Sequence, residues 1–181
     1  MEWRSPLAAD QFAEYRDASF LTLVGAGDVV ASLAEFWPQR GPQWDALAVS
    51  DRNDILLIEA KAHIAEMLSP ATQARETSRE RINIALRATA EALGAAPRAP
   101  WSEVFFQLAN RLAHLWFLRS AGLPAWLVLV NFVGDKDMGG PHRAREWEAA
   151  YQVAFHVMGL PARHALSKWI VHLHPDVSEF D

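Results

Sequence analysis

The sequence predicts an α/β chain with a central mixed sheet of four to five strands flanked by helices. Three observations carry that prediction. Two short strand patterns, Trp44–Val49 and Asp54–His63, are separated by the turn-rich SDRND. Both faces of that hairpin are mainly apolar, as expected of a sheet covered on both sides by helices. A later run, Trp126 to Val133, is apolar apart from Asn131, as in a central strand, and long helical patterns lie between the two.

In chain order, Pro6 to about Tyr15 reads as a first helix with proline near its start. FLTLVG (20–25) is short enough to be an edge strand or the lead-in to the next helix. Asp28 then stands as N-cap of a helix to about Trp37. Its apolar stripe is Val29, Leu33, Phe36 and Trp37, and Pro38 and Gly41 end it.

The hairpin carries three charges among apolar positions: Asp45, Glu59 and Lys61. A turn about Arg52 pairs Val49 with Ile55, Leu47 with Leu57 and Asp45 with Glu59. Opposed residues share a face, with Cβ atoms roughly 4.5–5.5 Å apart. Glu59 and Lys61, two residues apart, point the same way. Two carboxylates that close repel each other, and burial adds to the cost of ionising them. A divalent cation relieves both, and a few oxygen ligands completed by water suit Mg²⁺ or Mn²⁺. A neighbouring lysine orients or deprotonates a water, or holds a phosphate oxygen. That combination is metal-assisted phosphodiester hydrolysis.

The D-x13-E-x-K spacing on adjacent strands after a helix resembles the active site of the PD-(D/E)XK nuclease superfamily. Asp45 matches the first acidic position, although Gln43-Trp44 stands where that family usually has proline. Glu59, Ala60 and Lys61 match the E-x-K element. GPQWDAL, EAKAH and QLANRLAHL are similar to a bacterial branch of it. The resemblance implies a single restriction-endonuclease-like domain over 1–181, a three-layer α/β/α. It implies Mg²⁺ or Mn²⁺ held by Asp45, Glu59 and the Ala60 carbonyl, with Glu35 on the preceding helix as a further ligand. Lys61 would position or activate the water. The implied partner is nucleic acid, DNA first and RNA second, and a homodimer is one implied assembly.

After the hairpin, Ser69-Pro70 reads as cap and first turn of a helix to about Leu93, with Ile82, Leu86, Ala90 and Leu93 as its stripe. Arg75, Arg79 and Arg81 interleave with Glu76 and Glu80 there, a salt-bridged face or a phosphate-contacting one. Trp101 to Ala121 is a second helix. Along it Gln107, Asn110, Arg111 and His114 form one polar stripe. Gln107 resembles the glutamine that some members of the superfamily place beside the metal. Pro141 or Arg143 opens a third helix, with Trp147, Tyr151, Ala154 and Met158 on its stripe, and Trp169–His174 is a last strand. His172 and His174 share a face of that strand, and His63 continues the Glu59–Lys61 face. Asp135 and Asp137 lie in a glycine-rich loop.

With 181 residues, 51% of them hydrophobic, the chain can bury a sizeable core. It has no cysteine, which excludes disulfides, cysteine zinc sites and thiol nucleophiles, and fits a reducing cytoplasm. No signal-peptide pattern and no apolar run of about 18 residues is present. A formal net charge of −5 argues against clamping nucleic acid by bulk electrostatics. It keeps a second reading open: a nuclease-fold protein without catalysis, acting as a binding or scaffold module.

Overall fold

Five strands form one open mixed sheet in the computed structural model, which describes residues 1–137 and 139–180. They are β1 (Glu2–Ser5), β2 (Ala46–Val49), β3 (Ile55–Lys61), β4 (Ala125–Asn131) and β5 (Ile170–Leu173). They lie side by side in sequence order. β1, β2 and β3 are antiparallel neighbours, whereas β3, β4 and β5 run parallel. Parallel neighbours need long crossovers, and these carry the helices. Helices α3 (Glu76–Ala92) and α4 (Phe106–Ser120) connect β3 to β4. α5 (Ala144–Val157) connects β4 to β5. α1 (Asp17–Leu23) and α2 (Val30–Phe36) lie between β1 and β2.

The hairpin has the register its pattern predicts, with Leu47 opposite Leu57 and Val49 opposite Ile55. The turn is built by Ser50. Its hydroxyl donates to Asp54 Oδ2 and accepts the N–H groups of Arg52 and Asp54, while Asn53 takes a left-handed φ of 64°. Asn tolerates that conformation better than most residues.

Several expected elements are placed differently. Residues 2–5 form edge strand β1, and only a short 3₁₀ turn at Ala8–Asp10 stands in the segment expected as a first helix. The first four residues of FLTLVG end α1, which buries Phe20 and Leu21, and Val24 is its C-cap. An apolar run that short fits either element by pattern, and packing decides. α3 starts at Glu76 and not at Pro70. Ser69 is a cap for another helix: its hydroxyl accepts the N–H of Gln107 in the first turn of α4.

α4 is the central helix. Ten of its residues are buried, including Asn110, Arg111 and His114, so its polar stripe faces the interior. The buried apolar side chains of all five helices belong to one cluster, which also takes in Leu47, Ile55, Leu57, Ala125, Leu127 and Leu129 from the sheet. The opposite sheet face has its own small cluster of Ala46, Ala48 and Ile58. The apolar side chains packed around it, Leu56, Val128 and Val130, come from strands and are half-buried. Among the described residues no helix is long and apolar enough to cross a membrane.

Candidate functional site

Where β2 and β3 separate, the ladder ends at Ala46 opposite Ile58, and Asp45 sits on a bend just before it. Asp45 and Glu59 are therefore not a ladder pair. Instead Asp45 Oδ2 accepts the Ala60 N–H at 2.7 Å, so its side chain takes the hydrogen bond a strand partner would have offered. Lys61 C=O accepts from Phe132 on the β4 side. Carbonyl directions alternate along a strand, so the Ala60 carbonyl points the other way, to the side of Asp45.

Glu59 is 3% exposed and fully bonded. Its Oε1 accepts from Lys61 Nζ at 2.9 Å and from Gln107 Nε2 at 2.6 Å. Its Oε2 accepts from Arg111 Nε at 2.6 Å and lies 2.6 Å from Nη2 in an ion pair. Lys61 Nζ also donates to Gln107 Oε1 at 3.0 Å. Arg111 reaches further, donating through Nη2 to the Gln43 carbonyl at 2.8 Å and through Nη1 to Asn110 Oδ1 at 3.0 Å. Its guanidinium lies 4.8 Å from the centre of the Trp44 ring. The Glu59 carboxylate and the two cations thus compensate one another below the surface, and each keeps hydrogen bonds that make burial tolerable.

Asp45 is the more accessible carboxylate, only half-buried, and its Oδ1 accepts no hydrogen bond from the described residues. Burial, and then the charge of Glu59, hold its carboxyl above the ordinary aspartate value. A cation at that oxygen would remove both penalties. The donor set fits a hard divalent ion at this end: a free carboxylate oxygen and a main-chain carbonyl directed to the same side. Glu59 can join only by loosening one of these contacts, because Lys61 and Gln107 occupy one oxygen and the Arg111 guanidinium the other. No cluster of three or more His, Asp or Glu able to hold a metal occurs among the described residues. Any ion here would lean on two carboxylates, the carbonyl and solvent.

Of the residues singled out in the sequence, Asp45, Glu59, Ala60, Lys61 and Gln107 come together. Glu35 does not join them. It is exposed on α2 and lines a surface depression with Thr77, Glu80 and Trp116, which Asp45, Glu59 and Lys61 do not border. The reason is helix phase: α2 buries Leu33, which turns Glu35 outward. His63 lines another shallow depression, with Gly140 and Glu146. Glu66 folds back to accept the N–H groups of Ala62 and His63. His172 packs edge-on against Tyr151, ring centres 4.5 Å apart.

Arg111 is the member the sequence reading leaves unassigned. The signal is present, because it follows Gln107 by one helical turn on the same stripe. Tyr151 is a second. It borders the small void among Glu59, Lys61, Gln107 and Arg111, and its hydroxyl donates to Asn131 Oδ1 at 3.0 Å. Burial, and then the charge of Glu59, push its phenol above the ordinary value. His114 ends the stripe. Its Nδ1–H donates to the Asn110 carbonyl at 2.9 Å, and Phe20, Phe36, Trp37 and Trp44 surround the ring. Burial pulls its pKa down to about 3, so it is neutral and structural at pH 7. No protein-family model, curated protein or solved structure matches this chain, so its chemistry is argued from this geometry.

Proposed function

We propose that this chain is a divalent-metal-dependent nuclease of restriction-endonuclease-like fold that hydrolyses phosphodiester bonds of DNA. The observation that carries the reading is the meeting of Asp45, Glu59, Lys61 and Gln107 at the point where β2 and β3 part. Asp45, the Ala60 carbonyl and Glu59 would hold Mg²⁺ or Mn²⁺. When bound, the ion would supply Lewis-acid polarisation of the phosphodiester. Glu35 has no part in this version of the site.

Lys61 does the work nearest the water. Its ammonium is held between Glu59 and Gln107, which fixes its direction. Releasing Glu59 frees one N–H donor to hold the attacking water or a phosphate oxygen. The water oxygen bonds to phosphorus, one phosphorus–oxygen ester bond breaks, and a proton passes to the departing oxygen. Arg111 keeps Glu59 anchored through its second oxygen while that exchange occurs.

The test is cleavage of labelled DNA and RNA with Mg²⁺ or Mn²⁺, with and without chelator. Lys61→Ala is expected to slow cleavage by roughly 10²–10⁴-fold, and Asp45→Ala to abolish it. Cleavage of no nucleic acid by the wild-type chain, or wild-type rates in both variants, overturns the reading. One observation favours the second reading, a nuclease-fold binding module. Glu59 is buried and saturated by Lys61, Gln107 and Arg111, which stabilises the site without any ion. Calorimetry showing no Mn²⁺ binding that depends on Asp45 would select it.

A further inference from the structure

Joined to the site through Asn110, which holds Arg111, a cleft of about 640 Å³ opens between the segment after α2, the approach to α3 and the first turns of α4. Trp37, Arg40, Arg75, Ser78, Phe106 and Asn110 are among the residues that line it, and no aspartate or glutamate does. In a chain of net charge −5 this wall has the opposite sign. The side chains of Arg40 and Arg75 make no hydrogen bond or ion pair with the described residues. Asn110 is 8% exposed. Its Oδ1 is taken by Arg111, and its amide nitrogen has no partner among the described residues.

The arginine at the mouth is held in place. Arg40 takes a left-handed φ of 67°, uncommon for a residue with a side chain. The Asp17 carboxylate stabilises it by accepting the N–H groups of Arg40 and Gly41 at 2.9 and 2.8 Å. Gly41 packs closely there: a Cβ would lie 3.0 Å from Asp17 Oδ1 and 3.3 Å from His114 Nε2, so one of those side chains would have to shift by a few tenths of an ångström. Those hydrogen bonds offset the cost of the sparsely populated backbone conformation and fix where the Arg40 side chain leaves the chain. From Gly41 the chain runs through Gln43, which Arg111 grips, to Asp45. Those four steps span at most about 14 Å.

We propose that this cleft binds a single strand of nucleic acid, with Arg40, Arg75 and the Asn110 amide on the phosphates that neighbour the one presented to Asp45. The proposal deepens the nuclease reading and rests on it for the scissile end of the strand. Single strand is chosen over duplex for two reasons. The positive wall is one cleft on an otherwise acidic chain, which suits one backbone. The half-buried Phe106 ring on its wall, itself stacked with Trp37 at 6.5 Å, offers a face that only an unpaired base can use.

Fluorescence anisotropy in EDTA, with a labelled oligothymidylate and a labelled duplex, measures binding apart from cleavage. Removal of both arginines, Arg40→Ala with Arg75→Ala, is expected to weaken oligothymidylate binding roughly tenfold and to reduce the salt slope by about 1.4, for two single-strand phosphate contacts. Arg87→Ala with Arg98→Ala, in a different cleft that includes Glu103, is expected to change neither. Oligothymidylate affinity unchanged by loss of Arg40 and Arg75, equal loss in the control pair, or tighter binding of duplex overturns the proposal. Arginine-dependent binding without any cleavage keeps the cleft and removes the nuclease. Cleavage at wild-type kcat and KM in the Arg40–Arg75 variant keeps the nuclease and removes the cleft.

Discussion

The two faces of the sheet are made of the same strands and carry opposite contents. Under the helices, β3 and β4 present Glu59, Lys61 and Asn131, all buried, and α4 adds Arg111 and His114. On the other face, Leu56, Val128 and Val130 are half-buried and Leu173 is 48% exposed. Charges lie deep while aliphatic side chains remain partly in water. Stability alone would reverse that order, because burying ions is expensive and burying aliphatic surface is favourable. Natural sequences concentrate such breaks of the local rule at functional or strained sites. The contrast supports the proposed site on the helical face, at the open end of the β2–β3 hairpin.

The largest effect is expected at Glu59. Its carboxylate compensates both Lys61 and Arg111, so Glu59→Ala leaves two buried cations facing each other. Breaking such a pair costs about 3–5 kcal/mol, which chemical denaturation would read as a large drop in midpoint. Glu59→Gln keeps two acceptor positions and should lose less. Equal and small losses in both variants would mean that the cluster is hydrated, and the contrast between the faces would fail.

His114 tests the same face through pH. Its folded pKa lies near 3, well below the usual histidine value of about 6.5. The unfolded chain therefore takes up a proton that the folded chain refuses. Stability contributed by the neutral ring is fully present above about pH 6.5 and is lost as pH falls toward 3, at up to about 1.4 kcal/mol per pH unit. His114→Phe should flatten the melting profile over that window. A profile of unchanged slope would place the pH sensitivity elsewhere.

Asp45 should respond in the opposite sense. Its folded pKa is raised, so the ionised form costs stability above the ordinary aspartate range. Asp45→Asn keeps an oxygen for the Ala60 N–H and removes that charge. Thermal melts in EDTA at pH 7 should show a higher midpoint, with the gain disappearing as pH falls below about 3.8 and the aspartate is protonated. Cleavage should be lost in the same variant. A lower midpoint would mean that the carboxylate is structural and not held ready for a cation.

Local pattern carries part of this contrast. The period-two alternation and the SDRND turn set the hairpin register, and charges inside apolar strands point to Asp45, Glu59 and Lys61. The stripe on α4 brings Gln107 to them. What the pattern does not carry depends on contacts across the fold. Arg111 shares the stripe, but only packing shows that it is the one clasping Glu59. Glu35 is eligible by position, and the burial of Leu33 sets the phase of α2 against it. β1 has no apolar alternation, because EWRS is an edge strand defined by pairing with β2. FLTLVG is too short to be decided by pattern, and burial of Phe20 and Leu21 makes it helical.

The smallest effect is expected on the other face. Leu173 is on edge strand β5, half in water, and its neighbours there are strand residues. Lysine keeps an aliphatic stem on that surface, brings its charge to solvent, and suits an edge strand. Leu173→Lys should therefore change the unfolding free energy by no more than about 0.5 kcal/mol and leave cleavage alone. Sedimentation should give the same mass for both chains. A loss of several kcal/mol, or a drop in mass, would show that a second copy covers this face in solution. The half-exposed aliphatic side chains would then be an interface, and the two faces would differ in what buries them and not in whether they are buried.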